Sequence, residues 1–261
     1  MVPVFVVSSG RVGSMMVARL LEGLPGVAAH HEPRPFLLDL NYRAWRGTLD
    51  PEEALRALHA RRDAMIEDAR RKDLVYFESS HQLTFLVPAI AQAFRPRFVH
   101  LIRDGRPFVR SGLARGWFIL PKPARLGMLA VARASTAVGY PVWEYEMHRL
   151  WPPRSARSRV ARVSWLWAQY NLAIDRGMRE SGAESIRMRL EDFETAPEAA
   201  IDRLLTFVGL APGDRLPELA ERCRARPNKT ERPLDERWTD EDEADYQRWA
   251  GPAARYFGYG G

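Results

Sequence analysis

The chain has 261 residues, 46% hydrophobic and 28% charged, the balance of a globular protein with one sizeable core and, by default, a single α/β domain. One cysteine, Cys223, excludes a disulfide framework, a thiol pair and a zinc–thiolate cluster, and no apolar run nears the ~18 residues of a membrane span. The net charge of +6 rests on 39 basic residues of which 3 are lysines; they form no tail and accompany no nucleic-acid reader motif, so an anion-handling protein is expected rather than a nucleic-acid binder, the guanidinium fork suiting phosphate and sulfate. The first strand begins almost at Met1 with no basic and apolar leader before it, which reads as a reducing, cytoplasmic setting.

Val4 to Val7 is an unbroken, β-branched-rich run, the pattern of a strand buried on both faces. Ser8 to Ser14 follows with two glycines and small hydroxyl residues. From Met15 the spacing turns helical, with Met16, Leu20 and Leu21 on one face and Gly23 and Pro25 closing the helix. Strand, small-residue loop and helix N-terminus make a cup of backbone N–H groups at the positive end of a dipole, a place for phosphate. Registered against the P-loop pattern G-x-x-x-x-G-K-[ST] with Gly13 as the second glycine, Ser8 stands for the first glycine, Ser14 for the lysine and Met15 for the metal-binding hydroxyl. A thioether is a poor ligand for Mg²⁺, which takes hard oxygen donors. The positive charge has moved into the loop, to Arg11. A phosphate cradle without metal–triphosphate chemistry is expected, and no metal.

Arg11-Val12-Gly13-Ser14 resembles the first motif of the sulfotransferases that use 3′-phosphoadenosine 5′-phosphosulfate (PAPS). That motif is a strand, a loop with an early Arg or Lys, and Ser/Thr-Gly-Ser/Thr entering a helix. Val12 stands where Ser or Thr is usual, and Met15 where a hydroxyl residue is usual. The resemblance implies a parallel β-sheet flanked by helices, the P-loop nucleotide-kinase-like fold, with Arg11, Val12, Gly13, Ser14 and Met15 around the 5′-phosphosulfate.

Next comes a corner, His30-His31-Glu32-Pro33-Arg34-Pro35, after a short extended piece at Val27 to Ala29. Proline restricts the residue before it, so Glu32 and Arg34 are expected to be extended. By itself the corner is a surface turn. Many bacterial and Golgi-type sulfotransferases carry Glu-Pro after the first helix, and the resemblance therefore implies Glu32 as general base. His31, whose side-chain type titrates near neutrality, is the rival.

Residues 36 to 73 read as helices, with Asp50 as an N-cap before Pro51. Leu55, Leu58, Met65, Ile66 and Ala69 form the apolar stripe, and the alternating Arg and Asp/Glu on the other face read as solvated. Leu74 to Ser80 is a second strand. Related sulfotransferases have Glu/Asp-Lys-Thr/Ser-Pro here, from which Glu78-Ser79-Ser80-His81 departs; Glu78 either faces the site or caps a helix starting near Leu83. After that helix, Arg97 to Arg103 is a third strand, running into Asp104-Gly-Arg-Pro-Phe-Val-Arg-Ser111. A strand ending in Arg, an Asp-x-Arg turn and a Ser eight residues after the Arg is the second motif of the resemblance. It implies that Arg103 and Ser111 hold the 3′-phosphate; the residues alone also allow an Arg–Asp ion pair in a strand–helix turn.

Residues 112 to 160 mix aromatics, prolines and basic residues, and are expected to be a variable acceptor or lid insertion within one domain spanning 1–261. A helix follows at Val163 to Ile174, with Trp167 and Asn171 at the spacing of the family's helix before the last strand. Ser185 to Glu194 is a fourth main strand and its turn, where Glu191 and Asp192 fix the turn, and Pro197 to Leu210 is a core helix. Asn228 and Lys229 stand where the family brings a late basic loop over the 3′-phosphate. Trp238 to Phe257 is a closing helix with an acidic first turn suited to the helix dipole. The function implied is sulfuryl transfer from PAPS, leaving 3′-phosphoadenosine 5′-phosphate (PAP), to a hydroxyl or amine of a small-molecule, carbohydrate or lipid acceptor. The alternative is a metal-independent nucleotide-binding or P-loop kinase-like protein without that activity.

Overall fold

A computed structural model describes residues 1–118, 152–211, 213–225 and 238–260. Five strands, β1 (Val4–Ser8), β2 (Val27–His31), β3 (Val75–Ser80), β4 (Arg97–Ile102) and β5 (Ser185–Arg189), form one sheet in the order β2-β3-β1-β4-β5, every pairing parallel. β1 lies in the middle and all of its residues are buried, which is why its sequence is apolar without alternation. β2 is an edge strand and longer than its sequence suggested. Ala28, Ala29, His30 and His31 are only half-buried, and it is the ladder with β3, pairing Val27 with Val75 through His31 with Ser79, that makes them a strand.

The chain divides into two compact units: Met1–Phe36, Leu49–Arg103 and Tyr170–Glu231, which hold the whole sheet, and Leu37–Thr48, Asp104–Gln169 and Arg232–Gly261. In the first unit, α1 (Ser14–Leu21), α8 (Pro197–Val208) and α9 (Leu216–Arg224) lie against one sheet face. Val4, Val6, Phe77, Val99, Leu101 and Met188 of the strands there join Val17, Leu20 and Leu21 of α1 and Ile201, Leu204, Leu205 and Val208 of α8 in one core. Each such side chain contributes about 1.5–3 kcal/mol on burial. On the other face, Phe5 stacks with Phe94 of α4 (Val87–Phe94) and tilts against Tyr76 and Phe98. His100 is bonded to Asn171 of α6 (Arg159–Ser181), ring nitrogen to amide oxygen, at 3.0 Å.

α3 (Pro51–Arg71) begins as expected: the Asp50 carboxylate accepts the Glu53 N–H at 2.9 Å. Its buried stripe is Ala54, Leu58, Arg62 and Ala69, with Leu55, Met65 and Ile66 at its margins. Arg62 thus belongs to the inner face, not to the solvated one. α7 (Leu190–Thr195) follows β5 directly, and the Asp192 carboxylate accepts the Arg189 N–H at 3.4 Å, the turn-fixing part expected of it.

In the second unit α2 (Leu38–Trp45), α5 (Gly105–Ala114), α10 (Asp240–Trp249) and α11 (Gly251–Tyr256) are helical. Asp104 caps α5 through the Arg106 N–H at 2.8 Å, and Thr239 caps α10 through the Asp242 N–H at 3.1 Å. The closing helix is broken at Ala250, one residue before Gly251 and Pro252, into α10 and α11. Arg106 makes a two-pronged pair with Glu243 (2.8 and 3.2 Å) over the Tyr246 ring. No described helix is long and apolar enough to cross a membrane.

Candidate functional site

Parallel pairing delivers all five carboxyl ends to one edge of the sheet, where ligands bind in open α/β folds. β1 leads there into the Ser9–Gly13 loop, β2 into Glu32, β3 into His81, β4 into Arg103 and β5 into Leu190.

The loop turns tightly because three of its residues, Gly10 (φ 75°), Arg11 (56°) and Gly13 (83°), are left-handed. Glycine takes this conformation without cost, whereas a residue with a Cβ does so against roughly 1–2 kcal/mol. The Ser8 hydroxyl accepts the Gly10 N–H at 3.3 Å and steadies the turn. Val12 is fully buried in the core, so it presents only backbone to a ligand. Gly13 occupies the N-cap of α1 and offers no side chain to its first turn. A Cβ on Gly13 would stand 2.7 Å from Leu190 Cδ1. Ser14 is the buried first residue of α1, its carbonyl accepting from the Ser79 hydroxyl at 3.0 Å, while Met15 is half-buried. Arg103 reaches the loop from β4: its Nη1 donates to the Arg11 carbonyl at 3.0 Å.

Glu32 departs from expectation. It is left-handed, φ 48°, not extended. Its N–H donates to Ser79 O at 3.1 Å, one step past the end of β2, and the chain must then turn off the sheet at once. Its carboxylate accepts from His81 Nδ1 at 2.6 Å, and His31 Nε2 lies 3.9 Å away. His31 Nδ1 donates to the Ser79 carbonyl at 3.0 Å. Burial pushes the Glu32 carboxyl up, but the charge and hydrogen bond of His81 and the charge of His31 outweigh it and hold the pKa at about 2. Burial lowers the pKa of His31, against the opposing pull of Glu32. A carboxylate only accepts, so the His81 hydrogen sits on Nδ1, and in the neutral ring the lone pair is on Nε2.

This pair adjoins the loop. A Cβ on Gly10 would lie 3.5 Å from His81 Cβ. The Thr84 hydroxyl bridges the two segments, 3.1 Å from Ser8 O and 2.9 Å from His81 O.

Sequence comparisons find no family model that matches this chain and no curated protein that does. Among solved structures, the chain is similar to the sulfotransferase domain from the curacin biosynthetic pathway, at 14% identity over 98% of this chain and 97% of that one, TM-score 0.49. It is also similar to the sulfotransferase domain from the Synechococcus PCC 7002 olefin synthase, at 15% identity over 97% and 94%, TM-score 0.47.

Of the residues the sequence singled out, the structure brings Arg11, Gly13, Ser14 and Arg103 to one loop, and Glu32 and His31 to its flank. Ser111 is half-buried on α5 in the second unit, and its assignment rests on spacing alone. Asn228 and Lys229, with residues 119–151 of the expected insertion, lie outside the described residues. Glu78 neither faces this edge nor caps a helix. It is fully buried against Arg62, and Ser80 is the residue that caps the following turn, accepting the Gln82 N–H at 3.0 Å. Among the described residues no group of three His, Cys, Asp or Glu side chains is placed to hold a metal ion.

The sequence reading underrated two residues. His81 entered it as the end of a polar cluster and as a reserve proton acceptor, not as the partner of Glu32; it follows the last residue of β3 as Glu32 follows the last residue of β2. Arg189, in register with Ile102 and so beside the start of Arg103, ends β5 at the same edge.

Proposed function

We propose that this chain is a sulfotransferase that moves a sulfuryl group from PAPS to a hydroxyl or amine of a small-molecule, carbohydrate or lipid acceptor. The observation that carries this reading is the meeting, at one sheet edge, of the Arg11 loop and the Glu32–His81 pair. A phosphate cradle beside a proton acceptor equips a site to transfer a small anionic group to a protic nucleophile. The cradle fits a donor that needs no metal: Ser14 and Met15 stand where a P-loop kinase has its lysine and its Mg²⁺-binding hydroxyl. Gly13, at φ 83°, has no room for a Cβ, which would meet Leu190 Cδ1 at 2.7 Å, and this close packing holds the loop backbone at the start of α1.

In this reading Arg11 and the amides of Gly13 and Ser14 hold the 5′-phosphosulfate. Arg103, with Ser111, Asn228 and Lys229, is assigned to the 3′-phosphate. The PAPS donor supplies an activated sulfuryl group; the chain's own part is position, charge and a proton. His81 Nε2 takes the proton of the acceptor as its oxygen or nitrogen bonds to sulfur. Arg11 neutralises the phosphate oxygen released when the sulfur–oxygen bond of the donor breaks. Glu32, already a strongly stabilised carboxylate, is a weak base, and its role is to orient His81 and stabilise the imidazolium. His31 is left a flanking group.

The test is PAP release from PAPS with a panel of alcohols, sugars and amines. Protein-dependent PAP formation with at least one acceptor class, reduced 10²–10⁴-fold in His81→Gln, is expected. PAPS left intact with every class, alongside hydrolysis of ATP, would favour the kinase-like alternative.

A further inference from the structure

We propose that Arg62 is a positioning residue for the Glu32–His81 pair, clamping the Pro33–Pro35 corner onto β3 and thereby setting where the Glu32 carboxylate lies. What the pair does rests on the sulfotransferase reading; the clamp itself does not.

Arg62 is 1% exposed and Glu78 0%. Nε and Nη2 of the guanidinium meet the two Glu78 oxygens at 2.6 and 3.0 Å. Nη1 donates to Pro35 O at 2.9 Å and to Arg61 O at 3.0 Å, and Nη2 also reaches Pro33 O at 3.4 Å. The Tyr76 hydroxyl donates to Glu78 Oε2 at 2.6 Å, completing the carboxylate's shell.

As a stability device this arrangement is poor. Desolvating both ions offsets most of their attraction, and apolar residues of the same volume usually do as well. What apolar residues cannot do is donate to the corner. Pro33 and Pro35 have no N–H, so the segment cannot hold itself by ladder bonds of its own. Its carbonyls need a donor from elsewhere, and one planar fork supplies both while β3 holds the fork.

Glu32 directly precedes this corner with φ 48°. A non-glycine residue stays left-handed where its surroundings over-determine it. Upstream, Ser79 O and His81 fix Glu32; downstream, Arg62 fixes the two prolines. Releasing the downstream side frees the carboxylate to swing away from His81 Nδ1. The titratable groups facing Glu32 are His81 and His31.

The experiment compares the wild type with Arg62→Lys and with the double variant Arg62→Met/Glu78→Gln, which leaves no uncompensated buried charge and keeps an acceptor for Tyr76. Carbon-detected NMR follows the Glu32 carboxyl titration and the His81 Nδ1 proton, with no sulfuryl donor or acceptor present. Folded variants in which the Glu32 titration rises from its low value by roughly a unit or more, and the hydrogen-bonded Nδ1 proton is lost, are expected. With substrates, kcat should fall at least ~10-fold with little change in the KM for PAPS. Variants that fold and keep both signals as in the wild type would overturn the clamp, as would failure of both variants to fold, which would make Arg62 a folding residue. Loss of the signals in a protein that transfers no sulfuryl group in any form would keep the clamp and sink the sulfotransferase reading.

Discussion

Arg11 and Glu32 are both left-handed without being glycine, and both stand just past the carboxyl end of a strand. Arg95, also left-handed, caps α4, where that conformation is ordinary; at Arg11 and Glu32 no helix end explains it. In the proposed mechanism the Glu32–His81 bond separates the roles: a carboxyl held at about 2 is a weaker base than an imidazole. His81→Gln and Glu32→Gln are both expected to lose 10²–10⁴-fold in turnover, the second because an amide can donate to Nδ1 and hold the ring in the unproductive tautomer. His31→Gln should stay within a few-fold, and PAP affinity should be intact in all three. Steady-state PAP release with parallel calorimetry checks this. Near-normal turnover in His81→Gln beside a dead Glu32→Gln would return the base role to Glu32. The loop was legible in the sequence because Arg11, Gly13 and Ser14 are neighbours in the chain. The pairing of Glu32 with His81 spans 49 positions and exists only because β2 lies beside β3, which no local pattern announces. Arg62 was misread for the same reason: its charge matches the solvated face of α3, and only the direction of Glu78 from β3 turns it inward.

Strand ends and helix starts are where the sequence was most informative, since their chemistry is local. Asp50, Asp104 and Thr239 cap their helices through side chains, and each is an N-cap residue type. Gly13, at the N-cap of α1, offers no side-chain cap and is left-handed instead. Gly13→Ala sets a Cβ at φ 83° and 2.7 Å from Leu190 Cδ1. It should cost roughly 1–2 kcal/mol of stability and, by displacing the first-turn amides, lower PAP affinity on the order of tenfold or more. Denaturant unfolding with calorimetry reads both. An unaltered affinity would mean that the phosphates do not approach this backbone. Arg103 ties β4 to the same loop. Arg103→Ala is therefore expected to weaken adenosine 5′-phosphosulfate slightly, through the loop, and PAP by a further ten- to hundredfold, a charged hydrogen bond being worth about 1.5–3 kcal/mol. Equal losses would confine Arg103 to holding the loop. The edge strand β2 was seen only in part, because half-buried alanines and histidines carry no strand signal without β3 beside them.

Across the fold, the largest acid sensitivity of any histidine is expected at one outside the proposed site. His100 is fully enclosed by the sheet and α6, and burial lowers its pKa from 6.5 to about 4. Between those values the unfolded chain binds a proton that the folded chain refuses. Stability is thus full above pH 6.5 and falls as the pH drops toward 4, by on the order of 3 kcal/mol. Glu32 adds a loss of the same sign below its unfolded value of 4.5, as pH falls toward about 2. Urea midpoints between pH 8 and 4 should show the first loss, and His100→Gln, which keeps a polar partner for Asn171, should flatten it. An equal slope in that variant would place the acid sensitivity elsewhere.

Donor choice decides between sulfuryl transfer and kinase-like chemistry, and the proposal of a metal-free donor rests on three loop residues: Arg11 charged, Ser14 in place of lysine, Met15 in place of a metal-binding hydroxyl. Titration calorimetry of the full chain with PAP in the presence of chelator, and with Mg-ATP in a parallel cell, measures that choice without needing the acceptor. Saturable PAP binding in chelator, tighter than Mg-ATP, is the expected result; Mg-ATP binding tighter than PAP, or no PAP binding at all, would contradict it.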